Sequence, residues 1–325
     1  MARGCSMRES DLFSQVDRYV KLRRALGHQD FGLERQLKDF VRFVEAQGEV
    51  GPIRALTAVD WACAPSPNRG LNGQRLRFQA VRGFLLYLRA ALPDTEVPGP
   101  HTLPSPLRPK PYLYSPEEIR RLMEAASLLK PSGSLRPHTY MTMIGLIAST
   151  GLRIREVIRL TVSNVHTDAE TPYVEVLLTK FRKSRLVAVH PTTADKLRDY
   201  ANARNRLQLK CQSDAFFVSG RGTCLTYATV WDTFAFLKHE AGIPNFGAGR
   251  RACIHGLRHT FAVSRLLEWY RQGQKVNDLL PTLSTYMGHA DPTSTYWYLT
   301  ATPELLSVAG EYFHNFAGQG GEQCQ

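Results

Sequence analysis

Apolar residues recur every three or four positions along the first 92 residues, which is the spacing of amphipathic helices. A first stripe consists of Leu12, Val16, Tyr19 and Val20, and a second of Leu33, Leu37, Phe40, Val41 and Val44. Gly27 and Gly48 follow these stripes, where the helices would end. A short helix over 58–62 and a longer one over 74–92, with apolar Leu76, Val81, Leu85 and Leu88, complete the pattern. Residues 1–92 are therefore predicted to form a small all-helical domain.

Seven prolines lie between residues 93 and 111. Because proline lacks the amide hydrogen that a helix or a central strand needs, the pattern predicts an extended linker over 93–114. Ser115, Pro116 and Glu118 then form a helix-start signature. Serine caps the first turn, proline suits its first position, and the glutamate side chain bonds back to complete a capping box. A second domain is predicted over 115–325.

The second domain combines helical and strand patterns. Helices are predicted over 140–149, 155–162, 229–241, 256–272, 279–287 and 303–313. The segments 173–178 and 186–189 are rich in β-branched residues and flank a basic turn, which predicts a hairpin. The expected fold class is α+β, mainly helical with a small antiparallel sheet.

Charge adds a partner class to this fold. Lysines and arginines outnumber acidic residues 41 to 29, giving a formal net charge of +12. Residues 1–114 hold 17 basic and 11 acidic residues, so the two halves of the chain share the excess equally. Two basic domains indicate a polyanion enclosed from two sides, and nucleic acid is the leading candidate. A basic protein with no such partner is the alternative that charge alone leaves open.

Cysteine usage and hydropathy narrow the class further. The six cysteines form no CxxC pair, so neither a zinc cluster nor a disulfide framework is indicated, and a reducing cytoplasm is expected. The first residues lack the apolar stretch of a signal peptide, and no run of about 18 apolar residues occurs. We expect neither secretion nor a membrane span.

Phosphoryl transfer needs cations at the nonbridging oxygens, an in-line nucleophile and a proton donor for the leaving oxygen. The segment TGLRIRE (150–156) places Arg153 after a glycine turn at the start of a helix. The hairpin turn TKFRKSR (179–185) is where Lys180 or Lys183 would lie over a phosphate or beside a leaving hydroxyl. Taken singly, each segment also fits an ordinary exposed surface element.

Two later segments supply histidines. HGLRHTFA (255–262) puts His255 and Arg258 on one helix face, a proton carrier beside a phosphate ligand. His259 would complete a metal pair with His255, but the HExxH glutamate is absent and Arg258 would repel a cation. We expect no metal and no cofactor. MGHADPTSTYWYL (287–299) offers His289, followed by three aromatic residues that would otherwise pack in a core.

In this order the four segments resemble the catalytic segments of tyrosine recombinases and integrases of the phage integrase type. The resemblance covers most of 115–315, and the helical domain with its linker resembles the core-binding domain that clamps DNA in these enzymes. It implies a site-specific recombinase that cleaves and rejoins double-stranded DNA through a 3′-phosphotyrosyl intermediate. It also implies a homotetramer on two DNA duplexes, a mobile-element role, and a nucleoid-associated location in the cytoplasm.

The resemblance assigns roles to individual residues. Arg153 and Arg258 would grip the scissile phosphate, and His255 would assist proton transfer. The family pattern places the nucleophilic tyrosine nine positions after the histidine of a Leu-Gly-His turn, which here reads Met287-Gly288-His289 and leads to Tyr298. Tyr296 is the weaker candidate, and Tyr286 precedes the turn.

His289 would orient or stabilise the phosphate. Lys180 aligns best with the hairpin lysine that protonates the leaving oxygen, and Lys183 is the alternative. The family's Gly-Lys-Gly turn here reads Thr179-Lys180-Phe181, so the loop lacks the glycines that adopt positive φ cheaply. Two other functions fit the same resemblance: DNA relaxation of the type IB topoisomerase kind, and a noncatalytic DNA-binding accessory protein.

Overall fold

The computed structural model describes residues 9–28, 32–48, 52–65, 70–105, 110–177, 184–206, 213–247, 250–289 and 291–299, together with residues 305, 307 and 310. The chain divides into two compact units, Met1–Arg108 and Pro109–Gln325. Within the described ranges, no helix is both long enough and apolar enough to cross a membrane.

The described part of the first unit is built on helices around one apolar core. The helices are α1 (Glu9–Ala25), α2 (Leu33–Ala46), α3 (Ala55–Cys63) and α4 (Leu71–Leu88). Both predicted stripes supply buried residues, and α1 and α2 end just before Gly27 and Gly48, as predicted. Both glycines adopt positive φ. The predicted bounds of α4 and the predicted burial of Leu76 were wrong. The helix spans Leu71–Leu88 instead of 74–92, and Leu76 is 58% exposed because the buried face runs through Phe78, Val81 and Leu85.

The described part of the proline-rich segment contains no helix or strand, as the prolines predict. Residues 95–103 nevertheless pack onto the first unit. Thr95 is buried, Val97 contacts the apolar core, and the backbone amide of Glu96 donates to the Ile53 carbonyl. The boundary between the compact units, after Arg108, falls inside the predicted linker. Much of this segment is therefore anchored rather than a free spacer.

The second unit is mainly helical. The α-helices of its described ranges are α5 (Pro116–Ser127), α6 (Leu135–Thr150), α7 (Ile154–Ile158), α8 (Pro191–Arg206), α9 (Tyr227–Glu240), α10 (Ile254–Arg271), α11 (Val276–Met287) and α12 (Thr293–Leu299). Ser115 forms the predicted capping box: its hydroxyl accepts from the Glu118 amide, and the Glu118 carboxylate accepts from the Ser115 amide. The sequence pattern did not predict α8, which is strongly polar, or the short α12.

A small antiparallel sheet covers one part of this unit. Its strands β1 (Val165–His166), β2 (Tyr173–Val176) and β3 (Arg185–Ala188) lie in that order, with Val174 opposite Val187. A second hairpin pairs β4 (Phe246–Gly247) with β5 (Arg250–Arg251). The predicted α+β fold class is confirmed. The helix predicted over 155–162 is shorter, because the chain leaves α7 to form a bridge between Thr161 and Ala215.

Candidate active site

Arg258 lies at the centre of the candidate site, on the first turns of α10. Its side chain is 1% exposed and donates to the carbonyls of Gly151 and Met287. These carbonyls end α6 and α11, where Gly151 and Gly288 adopt positive φ and stop the helices. Helix C-termini carry partial negative charge, so a guanidinium between two of them is favourably placed. Burial is the main cause, and repulsion from Arg153 the second, of a lowered pKa of Arg258 of about 10, so the side chain stays protonated at neutral pH.

Arg153 approaches the same turn from another side. It stands directly before α7, and its Nη2 donates to the Gly288 carbonyl over 2.9 Å. Its Nη1 donates to Oε1 of Glu156 over 2.8 Å. The two predicted phosphate-gripping arginines therefore bind adjacent carbonyls, Met287 and Gly288, at the end of α11. The structure brings them together although 105 residues separate them in sequence.

Glu156 joins Arg153 to Arg185, and we call these three residues the Glu156 network. Arg185, at the start of β3, donates from Nη1 and Nη2 to the two carboxylate oxygens, over 3.2 and 2.9 Å. Its Nε donates to the Tyr286 carbonyl, which fixes the last turn of α11 to the sheet. Burial by itself would raise the pKa of Glu156, but its hydrogen bonds and charge pairing with Arg185 and Arg153 outweigh burial and hold it below its ordinary value.

Tyr298 is buried on α12, with 2% of its surface exposed. Its hydroxyl oxygen lies 2.9 Å from Nδ1 of His259, within hydrogen-bond distance. The other tyrosines considered from sequence lie elsewhere. Tyr296 is 46% exposed, and the Tyr286 hydroxyl donates to the Ala188 carbonyl on β3. Of these three tyrosines, Tyr298 is the one whose hydroxyl lies beside His259. We call Tyr298, His259, Arg258 and the Glu156 network the cluster.

His289 and His255, the two histidines predicted from sequence, have different neighbours. The ring of His289 stacks with that of Tyr298 at a centroid distance of 6.3 Å, and its Nδ1 lies 2.7 Å from the Thr295 hydroxyl. His255 is exposed, and its ring meets the edge of the His259 ring at 4.6 Å. His289 therefore lies against the nucleophile candidate, while His255 contacts His259.

Lys180 and Lys183, the hairpin candidates, lie outside the described residues. The described part of the chain holds no group of three or more histidine, cysteine or acidic side chains placed to bind a metal.

Sequence reasoning missed three residues of this cluster: Glu156, Arg185 and His259. Glu156 ends the TGLRIRE segment and Arg185 ends TKFRKSR, but the motifs give neither residue a role. His259 was considered only as a metal ligand. The available signal was its helical position, four residues after His255, which places both histidines on one face of the helix.

Comparison with known proteins identifies the second unit. A profile described as the phage integrase family matches residues 113–304. A Sinorhizobium fredii protein, y4rB, provisionally described as an integrase/recombinase, is 38% identical over 300 residues, covering 90% of this chain and 94% of its own. The tyrosine recombinase XerD of Mycobacterium tuberculosis is 31% identical over 255 residues, covering 78% and 73% of the two chains.

Solved structures agree on the fold. The site-specific recombinase XerH, bound to a palindromic difH substrate in a post-cleavage complex, matches with a TM-score of 0.68 at 18% identity, covering 94% of this chain and 85% of its own. A lambda integrase tetramer bound to a Holliday junction matches with a TM-score of 0.55 at 16% identity, covering 90% and 78%. From the family profile and the two relatives, we conclude that this chain belongs to the phage integrase family of tyrosine recombinases.

Proposed function

We propose that the chain is a site-specific DNA recombinase in which Tyr298 attacks a DNA phosphate and forms a 3′-phosphotyrosyl link. The observation that carries this proposal is the position of the Tyr298 hydroxyl, buried beside His259 in the cluster that also holds Arg153 and Arg258. A free tyrosine has a pKa near 10, so attack at neutral pH needs a base or a positive field at the hydroxyl. The cluster supplies both kinds of group.

Arg153 and Arg258 are the proposed ligands of the scissile phosphate. Among the described residues, Arg258 hydrogen-bonds to two backbone carbonyls and to no carboxylate. A buried charge is costly unless an opposite charge compensates it, and a phosphate bound here would supply that charge. Charge on the phosphoryl oxygens grows in the transition state, so fixed guanidinium donors favour that state over the bound substrate.

The remaining roles concern protons and orientation. Lys180, with Lys183 as the alternative, is the proposed donor to the leaving 5′ oxygen, and His255 assists proton transfer. His289 is proposed to orient the phosphate. Because the phosphotyrosyl link keeps the energy of the phosphodiester bond, a 5′ hydroxyl from a partner strand can reverse the step without ATP.

Duplex DNA is the proposed partner, and the net charge of +12 supports it. We extend the proposal to a clamp formed with the helical unit and to a homotetramer on two duplexes. The lambda integrase structure, a tetramer bound to a Holliday junction, supports this assembly by its likeness in fold. A mobile-element role is supported by the description of y4rB as an integrase/recombinase and by the likeness in fold to the Tn1549 transposon integrase. We propose nucleoid association because the substrate is DNA.

The test uses labelled duplexes that cover the DNA flanking the protein's own gene, followed by a denaturing gel for covalent protein–DNA complexes. Wild-type protein and Tyr296→Phe, a matched control on the exposed face of α12, should both give a shifted band. Tyr298→Phe should bind the same DNA and give no band. A band that persists in Tyr298→Phe and disappears in Tyr296→Phe would assign the nucleophile to Tyr296 instead.

A further inference from the structure

We propose that His259 is the general base of the reaction, accepting the proton of the Tyr298 hydroxyl as the phosphotyrosyl bond forms. This inference rests on the proposed function, with Tyr298 as nucleophile. It assigns a catalytic role to a residue of α10 that the comparison of motifs leaves without one. The role follows from the contacts of His259 with the attacking atom itself.

Geometry places His259 at the attacking oxygen. Its Nδ1 lies 2.9 Å from the Tyr298 hydroxyl, inside the range that proton abstraction requires. The pair joins α10 to α12, and Tyr298 is almost fully buried. The Trp297 ring also contacts His259, at a centroid distance of 5.7 Å. Limited access of water favours direct transfer between the two side chains over transfer to solvent.

In the proposed step, one proton passes from the Tyr298 hydroxyl to His259. A neutral His259 with its proton on Nε2 presents a bare Nδ1 to the hydroxyl of Tyr298. On attack, the O–H bond breaks and its proton moves to Nδ1, the tyrosyl oxygen forms a bond to phosphorus, and the bond from phosphorus to the 5′ oxygen breaks. The electron pair goes to the 5′ oxygen, which takes a proton from its own donor. Rejoining runs the same transfers backwards, so His259 returns the proton to Tyr298.

Contact between His259 and His255 couples the two ends of this transfer. Their rings lie 4.6 Å apart, edge to face, at successive turns of α10. Two imidazolium groups this close repel each other, so protonation of one favours loss of a proton from the other. Proton uptake by His259 therefore favours passage of a proton from the exposed His255 toward the leaving 5′ oxygen, the transfer that His255 is proposed to assist. Attack and departure then proceed with little change in the charge of the pair.

The first experiment separates a base from a residue that only holds the tyrosine. His259→Asn keeps a hydrogen-bond acceptor near the Nδ1 position but cannot take up a proton. We expect covalent complex formation on the gene-flanking duplexes to slow by about 100-fold or more, with DNA binding and melting temperature close to wild type. His239→Asn, at an exposed position on α9, is the matched control and should cleave at the wild-type rate. If His259→Asn does not fold, His259→Gln serves the same comparison.

A second experiment locates the defect at the nucleophile. Once wild-type cleavage has marked the scissile position, its 5′ bridging oxygen is replaced by sulfur, a leaving group that departs without a proton. His259→Asn should stay slow on this DNA, because attack by Tyr298 is still impaired. Recovery of near wild-type cleavage, or a wild-type rate of His259→Asn on ordinary DNA, would overturn the inference. Absence of any complex with wild-type protein would instead overturn the proposed function.

Discussion

Arg153 and Arg258 converge on one turn of the chain but are held there by opposite means. Arg153 belongs to the Glu156 network, where one buried carboxylate pairs with two guanidinium groups. Arg258 is more deeply buried, and its hydrogen bonds within the described residues go to two neutral carbonyls. Arg153 shares one carboxylate with Arg185, whereas Arg258 is held by two helix-end carbonyls and pairs with a full negative charge only when an anion binds.

This difference indicates that the Glu156 network and Arg258 have different roles. The Glu156 network links α7, β3 and the Tyr286–Gly288 turn by charged hydrogen bonds, which are stronger than neutral ones and fix geometry. Arg258 contributes electrostatic stabilisation that is realised only with a phosphate present. We therefore expect substitutions at Arg258 to act mainly on cleavage, and substitutions in the Glu156 network to act on stability as well.

The largest expected effect is that of Arg258→Lys. Lysine keeps the charge, but its compact ammonium cannot span the Gly151 and Met287 carbonyls and a phosphate as a planar guanidinium does. We expect cleavage to fall by about 100-fold or more while DNA binding changes little. Single-turnover cleavage and an electrophoretic binding assay measure the two quantities. Arg265→Lys, on an exposed position of α10, is the control, and an equal loss of binding and cleavage in Arg258→Lys would contradict the proposed role.

A smaller effect on cleavage, with a clear effect on stability, is expected for Glu156→Gln. The change leaves two cations without their buried counterion, which should lower the free energy of unfolding by about 3 kcal/mol and cleavage by about tenfold. Glu124→Gln, whose pair with Arg120 is exposed, should be near neutral. Chemical denaturation at neutral pH measures the difference, and equal stability of the two variants would contradict the central place given to Glu156.

Acidification should remove the stabilising contribution of Glu156. The folded pKa of Glu156 is depressed below its ordinary value of 4.5, so its stabilising contribution is fully present above about pH 4.5. It is lost as the pH falls through the lower folded pKa, because the protonated carboxyl no longer pairs with Arg185 and Arg153. The stability gap between wild type and Glu156→Gln should therefore shrink from pH 7 to pH 3. A gap that stays constant over this range would show that charge is not its source.

The smallest expected effect is that of Gly288→Ala. Gly288 has φ +68°, and an added Cβ would lie 2.5 Å from Nη1 of Arg185, which Glu156 and Tyr286 hold in place. Gly133→Ala shares the positive φ, at +76°, but meets open space, so it isolates the backbone cost of about 1–2 kcal/mol. Gly288→Ala should melt lower than Gly133→Ala and cleave a few-fold more slowly. Identical melting of the two variants would mean that Arg185 yields without cost.

Sequence pattern captured the parts of the fold that depend on local chemistry. The stripes of the first unit, the capping box at Ser115 and the β2–β3 hairpin follow from periodicity, capping and β-branched residues. Helix α8 was missed because few of its residues are apolar, and only Ala194, Leu197 and Tyr200 are buried. The packing of residues 95–103 against the first unit was not predicted. Their prolines indicate that the segment is not helical, but they do not indicate which surface it packs against.

The sequence by itself determined the family and the identity of Arg153, Arg258, His289 and Tyr298 as candidates, because motif order and spacing along one chain are local properties. Only the tertiary structure decided which groups those residues touch. Arg185 reaches Glu156 across 29 positions, and His259 reaches Tyr298 across 39. Such contacts depend on how α7, α10, α12 and β3 pack together. The position of a charged or imidazole residue in the sequence does not tell whether its side chain faces solvent or a reacting oxygen.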